Sequence, residues 1–180
     1  MVDKAMHLLK RMDPLGRAKK GTQMFRKILV PIDTSETSVA EFAVFLAAQF
    51  AALTDGAVRM ISVFPEIPHS FRVFLPPHIS AERENAADSQ LQEMAEKANV
   101  PAGRFSHTTR TGVVYHEVLA EAEAWGADLI IVGSHSPSMG TYLIGSNAQK
   151  IVRHANCSVL VVRPQKDQHG NYWLFPQIAS

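Results

Sequence analysis

Short apolar runs alternate with longer amphipathic stretches along most of this chain. Four of the runs are mostly apolar, and apolar residues at consecutive positions, as in the first run, are typical of strands that are covered on both faces of a sheet. They span residues 27–33, 58–64, 129–132 and 159–162. A fifth run, residues 104–110, is more polar, and we expect it to form a strand near an edge of the sheet.

Between these runs, apolar residues recur every three or four positions, which predicts helices. The first helix has such a stripe and ends near Asp55-Gly56. The members of its stripe are Val39, Phe42, Ala43, Leu46, Phe50 and Leu53. Further helices are predicted over residues 80–99, 114–125 and 146–154. Because parallel strands need crossover connections, this strict alternation predicts a doubly wound α/β sheet with helices on both faces.

The segment between the last two strands carries the strongest chemical signal. Gly133 and Ser134 directly follow an apolar strand, and Gly145, Ser146 and Asn147 directly precede a helical run. A strand that opens into glycine and serine ahead of a helix exposes backbone N–H groups at the positive end of a helix dipole. This arrangement predicts a phosphate or nucleotide site.

A second polar turn follows the first strand, at Asp33. In doubly wound sheets, ligands bind beyond the carboxyl ends of the strands where the winding reverses. If the first and fourth strands flank that point, the turns after Asp33 and Gly133 face one another across one crevice. A carboxylate repels a triphosphate unless a divalent cation lies between them, so we expect Mg²⁺ as a companion, with Asp33 as its ligand.

Bulk composition narrows the classes of function. Apolar residues make up 46% and charged residues 19% of the 180 residues, which suits one globular domain. A net charge of +1 does not favour a nucleic-acid partner. Cys157 is the single cysteine, which excludes an internal disulfide and fits a reducing compartment. No secretory signal pattern and no long apolar span stand out, so we expect a cytoplasmic protein without a membrane span.

The two ends of the chain differ from its middle. Residues 1–24 are basic and are interrupted by proline and glycine, and we interpret them as an arm outside the core. A mobile extension and a surface-binding helix are the alternatives for this arm. Residues 25–164 form the predicted domain. Residues 165–180 form a tail with enough aromatic residues to pack on another surface, and the proline-rich stretch 65–77 is interpreted as a lid or partner loop.

Three segments resemble the universal stress protein family: KILVPIDTSETS, ADLIIVGSHS and GSNAQKIVRHANCSVLVVRP. The resemblance covers residues 25–164. It implies a five-stranded, Rossmann-like parallel sheet of order 3-2-1-4-5, homodimers that form through the last strand (Cys157 to Arg163), and ATP binding in one branch. An apolar last strand would leave a sticky sheet edge in a monomer, and a second copy would cover it. Whether dimers pair into tetramers is left open.

The phosphate loop departs from the ATP-binding branch at one point. In that branch a glycine is followed after two residues by a second glycine, and nine residues later by Gly-Ser or Gly-Thr. Gly133 and Gly145 match the two ends, but Ser136 replaces the second glycine and the span is one residue shorter, as in a short-loop variant. Pro137 lacks an N–H and pushes Ser136 toward extended backbone, so the loop takes another path.

The resemblance also assigns residues around an adenine nucleotide, which would be ATP, ADP or AMP. Pro31 is expected beside the adenine, Asp33 near the ribose or a bound metal, and the backbone of Val63 at the edge of the adenine. Within the altered loop, Gly140 and Thr141 are expected to take over the flexible and the hydroxyl-bearing positions. Nucleotide binding is therefore implied for this chain.

We expect a dimeric regulator or sensor of the stress response that binds ATP or a related nucleotide. A P-loop lysine motif is absent from the sequence. We assign His135 to a place over the phosphates or in solvent rather than to catalysis, so at most slow ATP hydrolysis or autophosphorylation is expected. The alternative is a nucleotide-free interaction module, closed by Ser136-Pro137, that regulates a protein partner such as a transporter.

Overall fold

A computed structural model of the chain describes residues 24–34, 37–68, 70, 78–100, 103–134 and 145–163. Its strands are β1 (Lys27–Ile32), β2 (Ala57–Phe64), β3 (Phe105–Thr111), β4 (Leu129–Gly133) and β5 (Ser158–Val162). The helices between them are α1 (Thr37–Thr54), α2 (Ile79–Lys97), α3 (Val114–Trp125) and α4 (Ser146–His154). The sheet is parallel in the order β3-β2-β1-β4-β5. The predicted fold class, strand order and edge position of the polar strand are confirmed.

The helices cover the sheet in pairs, because the chain changes direction across the sheet after β3. One core, with α1 and α2, buries Ile28, Val30, Met60, Leu91 and Ile131. The other core, with α3 and α4, buries Leu29, Ile61, Val118, Ile130 and Ile151. Successive strand residues therefore enter opposite cores, which explains why the central strands are apolar at nearly every position.

Helix α1 contacts the sheet mainly through small side chains, which corrects the predicted stripe. Its buried residues are Val39, Ala40, Ala43, Val44, Ala47, Ala48, Ala51 and Thr54. Leu53, which the periodicity placed on the buried face, is 82% exposed, and Phe42, Leu46 and Phe50 are only partly buried. Because alanine and valine allow the helix to approach the strands closely, they form the centre of the contact face and the larger residues flank it.

One helix among the described residues, α1, is long and apolar enough to cross a membrane by length and composition, with a mean hydropathy of 1.4. Eight of its residues are buried inside the fold. The apolar composition of α1 is therefore that of a core helix between a sheet and solvent.

The pairing between β1 and β4 is short and stops toward the carboxyl ends of the strands. It ends where Leu29 lies beside Ile130, whereas β1 pairs with β2 along its whole length. The carbonyl of Lys27 accepts a hydrogen bond from the N–H of Asp128 at 3.0 Å. Because the backbone N–H and C=O groups of every second strand residue point to the same neighbouring strand, those of alternate residues from Lys27 onward point toward β4. The next donor on that side would be Pro31, which has no N–H. Proline therefore ends the ladder and leaves a gap between the two strands.

A buried carboxylate joins α3 to the outer half of the sheet. Glu121 is 4% exposed and accepts hydrogen bonds from Arg59, at 2.7 Å, and from Arg110. Arg59 also donates to Ser106 Oγ at 3.0 Å, and its guanidinium carbon lies 4.6 Å from the centre of the Trp125 ring. Burial raises the pKa of Glu121, but the two guanidinium groups outweigh burial, so this pKa lies below its ordinary value.

Replacing Glu121 with glutamine should reduce stability at neutral pH and flatten its dependence on acid. Because the folded pKa is lowered, the carboxylate stabilises the fold fully above the unfolded pKa of about 4.3, and this stabilisation is lost as pH falls through the folded pKa. We expect Glu121→Gln to cost about 1.5–3 kcal/mol near neutral pH, and less in acid, in urea unfolding. Glu123→Gln, an exposed change on the same helix, is the control. An equal cost at both pH values would contradict the charged pairing.

Candidate functional site

A cavity of about 320 Å³ opens at the carboxyl ends of β1, β2 and β4. It lies beside the gap that Pro31 leaves between β1 and β4, where the winding of the sheet reverses. Its volume falls within the range of about 300–1,000 Å³ that small-molecule sites occupy. Most of the residues that the sequence assigned to a nucleotide line it together: Pro31, Asp33, Val63, Gly133, Gly145, Ser146 and Asn147.

Ser134, also assigned to the site, is buried next to the cavity and points elsewhere. Its N–H donates to the carbonyl of Val162 at 2.9 Å, and its Oγ accepts a hydrogen bond from Arg163 Nε at 3.2 Å. Ser134 therefore joins the end of β4 to the end of β5. The remaining positions that the sequence singled out in this loop lie outside the described residues: His135, Ser136, Pro137, Gly140 and Thr141.

Several lining residues carry no motif and were missed by the sequence analysis. They are Ile32, Thr34, Val39, Ala40, Ile61, Ser62, Pro65, Val114, Val132, Ala148 and Ile151. Strand register could have indicated two of them, because Ile61 and Ser62 lie beside Pro31 and Ile32 in the sheet. Val114 comes from the start of the helix after β3, and only the crossing of α3 over the sheet brings it to the cavity.

The N-terminus of α4 forms one wall of the cavity. Gly145 is the N-cap residue, with φ 79° and ψ 139°, a conformation that strongly favours glycine. The first N–H groups of a helix have no acceptor within the helix, and glycine offers no side chain to accept them. These donors and the helix dipole favour an anion beside Gly145, Ser146 and Asn147.

Gly133 has a packing reason to be glycine. A Cβ atom built at this position would lie 2.4 Å from Cγ1 of Val39, which is far closer than two carbon atoms approach. The end of β4 and the start of α1 can therefore meet only if residue 133 has no side chain, or if Val39 moves. This contact sets the distance between the β4 exit and α1 at the cavity.

Gly133→Ala should destabilise the protein, and Val39→Ala in the same chain should relieve much of that effect. Overpacking of this kind costs about 1–3 kcal/mol. We expect a double-mutant cycle in urea unfolding to show a favourable coupling of about 1 kcal/mol or more between the two changes. If the changes in unfolding free energy of the two single variants simply add in the double variant, the contact with Val39 is not the reason that residue 133 is glycine.

Asp33 is the one ionisable residue among the described residues that line the cavity, and it is exposed. No group of three or more His, Cys, Asp or Glu able to hold a metal ion occurs within the part of the chain that the structure describes. Within the described lining, Asp33 is thus the one protein carboxylate that could face a cation. Phosphate oxygens and water supply the other ligands of Mg²⁺ in nucleotide sites.

A doubly wound parallel sheet with a cavity at its reversal point and a helix N-terminus in the cavity wall has the layout of α/β nucleotide-binding domains. The chain belongs to the universal stress protein family, whose sequence model matches residues 24–163. It is 35% identical over 144 residues to universal stress protein G of Shigella flexneri, an alignment that covers 78% of this chain and 100% of the relative. The predicted family membership is confirmed.

Two similar solved structures contain an adenine nucleotide. A universal stress protein in complex with cAMP is 20% identical and has a TM-score of 0.56, covering 78% of this chain and 98% of that one. The Archaeoglobus fulgidus protein in complex with dAMP is 16% identical and has a TM-score of 0.58, covering 78% of this chain and 100% of that one. At these identities the likeness shows the fold, and some proteins of this fold bind adenine nucleotides.

Proposed function

We propose that this protein binds an adenine nucleotide, ATP in particular, and acts as a regulator or sensor in the stress response. Three features around one cavity carry the proposal: the N-terminus of α4 at Gly145, the carboxylate of Asp33, and the gap between β1 and β4. The phosphates would lie at Gly145 and the base toward Pro31 and Val63. The solved neighbours with cAMP and dAMP support an adenine nucleotide as the ligand.

Phosphate binding at this site would rest on backbone donors. The described lining contains no lysine or arginine, so the helix dipole and the N–H groups near Gly145 supply the attraction. Asp33 borders the same cavity and would repel a triphosphate. Mg²⁺ between the carboxylate and the phosphates would turn this repulsion into attraction, so the proposed ligand is Mg-ATP, with Asp33 facing the metal.

The proposed ligand can be tested on the purified full chain. Mass spectrometry of the denatured protein should detect a co-purified adenine nucleotide. Isothermal titration should show Mg-ATP binding that weakens when EDTA removes the metal. Absence of nucleotide in repeated preparations, together with no thermal shift on adding Mg-ATP, would refute the proposal and favour the nucleotide-free interaction module with a protein partner. Fast ATP turnover would contradict the regulatory role, for which slow hydrolysis or autophosphorylation is the proposed limit.

We also propose that two copies pair through residues 157–163. β5 is an edge strand of the sheet, and Val159, Leu160 and Val161 in its middle are each partly exposed. The opposite edge strand, β3, carries polar and charged residues instead, which discourages edge-to-edge pairing. The contrast between the two edges favours β5 as the interface, because a second copy across a two-fold axis would cover its apolar residues. A cytoplasmic homodimer is the state we propose.

Cys157 directly precedes β5 within this proposed interface and is half-buried. Burial raises the pKa of its thiol, and the negative charge of Asp128 raises it further. A thiol with a raised pKa is protonated at neutral pH and is a poor nucleophile. These properties support a packing role for Cys157 beside the interface.

A further inference from the structure

Helix α1 carries large apolar side chains on a side that the sheet does not cover. Phe42, Leu46 and Leu53 follow one another at spacings of four and seven residues, so they form one row along the helix, the α1 stripe. Leu53 is 82% exposed, and Phe42 and Leu46 are only partly buried. The outer side of a surface helix ordinarily carries charged residues. Contiguous apolar surface in such a position is typical of a binding surface.

The single charged residue of α1, Glu41, shows which way the α1 stripe faces. Glu41 forms an ion pair with Lys97 of α2, with 3.7 Å between the carboxylate oxygen and Nζ. At about 100° of rotation per residue, the stripe lies about 100–140° around the helix from Glu41, so it faces away from α2. Because α2 lies against β3 at one edge of the sheet, the side away from α2 leads to β5 at the other edge. Leu160 of β5 packs against the same core as the stripe residues Phe42 and Leu46.

The C-terminal tail leaves the domain on this same side. β5 ends at Val162 and the family model ends at residue 163, so residues 164–180 continue directly from the β5 edge. They lie outside the described residues, and their sequence places a polar stretch ahead of the apolar run Tyr172-Trp173-Leu174-Phe175. Ten extended residues span about 33 Å, whereas the 18 residues of α1 span about 27 Å. The tail is therefore long enough for Trp173 to reach the α1 stripe.

We infer that the apolar run 172–175 docks on the α1 stripe of the same chain. The two surfaces match chemically, because residues 170–180 contain no Asp, Glu, Lys or Arg and the stripe is apolar along its length. Aromatic side chains bury large apolar areas, so Trp173 and Phe175 gain most from leaving water. A tail attached at β5 is present at a high effective concentration, whereas a second copy would lose its free translation and rotation on binding. The tail of the same chain is therefore the favoured occupant.

Fluorescence of the full chain tests this docking, because the sequence contains only one tryptophan besides Trp173, at Trp125. The spectrum of the wild type minus that of Trp173→Phe gives the emission of Trp173. We expect this emission at a shorter wavelength than that of a synthetic peptide of residues 164–180, with acrylamide quenching several-fold weaker. Phe175→Asp should lower the melting temperature by about 2–6 °C, because the docked tail loses a buried aromatic ring.

Lysine substitutions on the α1 stripe identify the docking surface. Leu46→Lys and Leu53→Lys should each shift the emission and quenching of Trp173 toward the values of the peptide. Leu53 is mostly exposed, so its replacement should leave the fold intact even if Leu46→Lys destabilises it. Val152→Lys, a change of an exposed apolar residue on α4, across the sheet from α1, is the matched control and should leave Trp173 protected. Circular dichroism should confirm that each variant is folded.

Three results would overturn the docking of the tail on α1. Trp173 in the wild type could emit and be quenched as in the peptide, which would show that the run is not docked. Protection of Trp173 that persists in both folded lysine variants would place the tail on another surface. Protection that is lost on dilution of the protein would show contact between copies instead of within one chain. None of these measurements involves a nucleotide, so the proposed function and this inference can fail independently.

Discussion

Gly145→Asp should lower the affinity for Mg-ATP by more than about 100-fold, which corresponds to about 2.7 kcal/mol. An aspartate at the N-cap of α4 would accept the first N–H groups of the helix itself. Those donors would then be unavailable to a phosphate, and the new negative charge would repel it. The proposed phosphate site thus loses its donors and gains a repulsive charge in one change.

Two further variants separate charge from backbone strain. Gly145→Ala imposes the same unfavourable backbone, with φ 79°, without the charge, and we expect it to weaken Mg-ATP binding less than Gly145→Asp does. His78→Asp places an aspartate at the exposed N-cap of α2, away from the cavity, and should leave binding unchanged. Titrations with Mg-ATP and with adenosine measure the contrast, since adenosine should be far less sensitive. Equal binding by the Asp and Ala variants would refute phosphate contact at α4.

Val159→Lys should convert the proposed dimer to monomers, with a dimer dissociation constant raised by more than about 100-fold. Val159 lies on β5, is partly exposed, and belongs to the proposed interface. A lysine there would have to bury its charge against a second copy without a partner, which is strongly unfavourable. Lysine is also a residue that natural edge strands use to prevent pairing.

Val152→Lys is the matched control for this experiment. Val152 lies on α4, is 48% exposed, and lies outside β5. Sedimentation velocity should show a dimer for this variant and for the wild type, and a monomer for Val159→Lys. Circular dichroism should confirm that all three remain folded, because Val159 also packs against the core under α3 and α4. A Val159→Lys protein that remains dimeric would show that β5 is not the interface.

Local patterns along the chain predicted the main elements and their arrangement. Strands with both faces buried are apolar at every position, so β1 and β4 stand out, and the polar run at β3 indicated an edge. Helical periodicity located the four helices that the described residues form. The periodicity was misleading on one face of α1. It predicted burial for the large apolar side chains at helical spacing, whereas alanines such as Ala43 and Ala47 form the closely packed contact with the sheet.

The candidate site could be predicted only where glycine, proline or a strand end leaves a local signature. Gly145, Asp33 and Pro31 belong to that group. Ser62 does not, because a serine inside a strand carries no sign of what it faces until register places it beside a cavity. Glycine at residue 133 was expected from phosphate contact, whereas the structure adds a steric reason in Val39, which lies far away in the sequence.

The sequence by itself determined the parallel α/β architecture, the family, and the two turns that border the cavity, because these depend on local periodicity and on residues with special backbone geometry. Only the tertiary structure decided that the pairing of β1 with β4 stops at Pro31, that Ser134 turns toward Arg163, and that Val114 of α3 lines the cavity. Such contacts join residues that lie tens of positions apart. Their geometry depends on strand register and on how closely each helix approaches the sheet, and neither quantity is encoded in any single stretch of the chain.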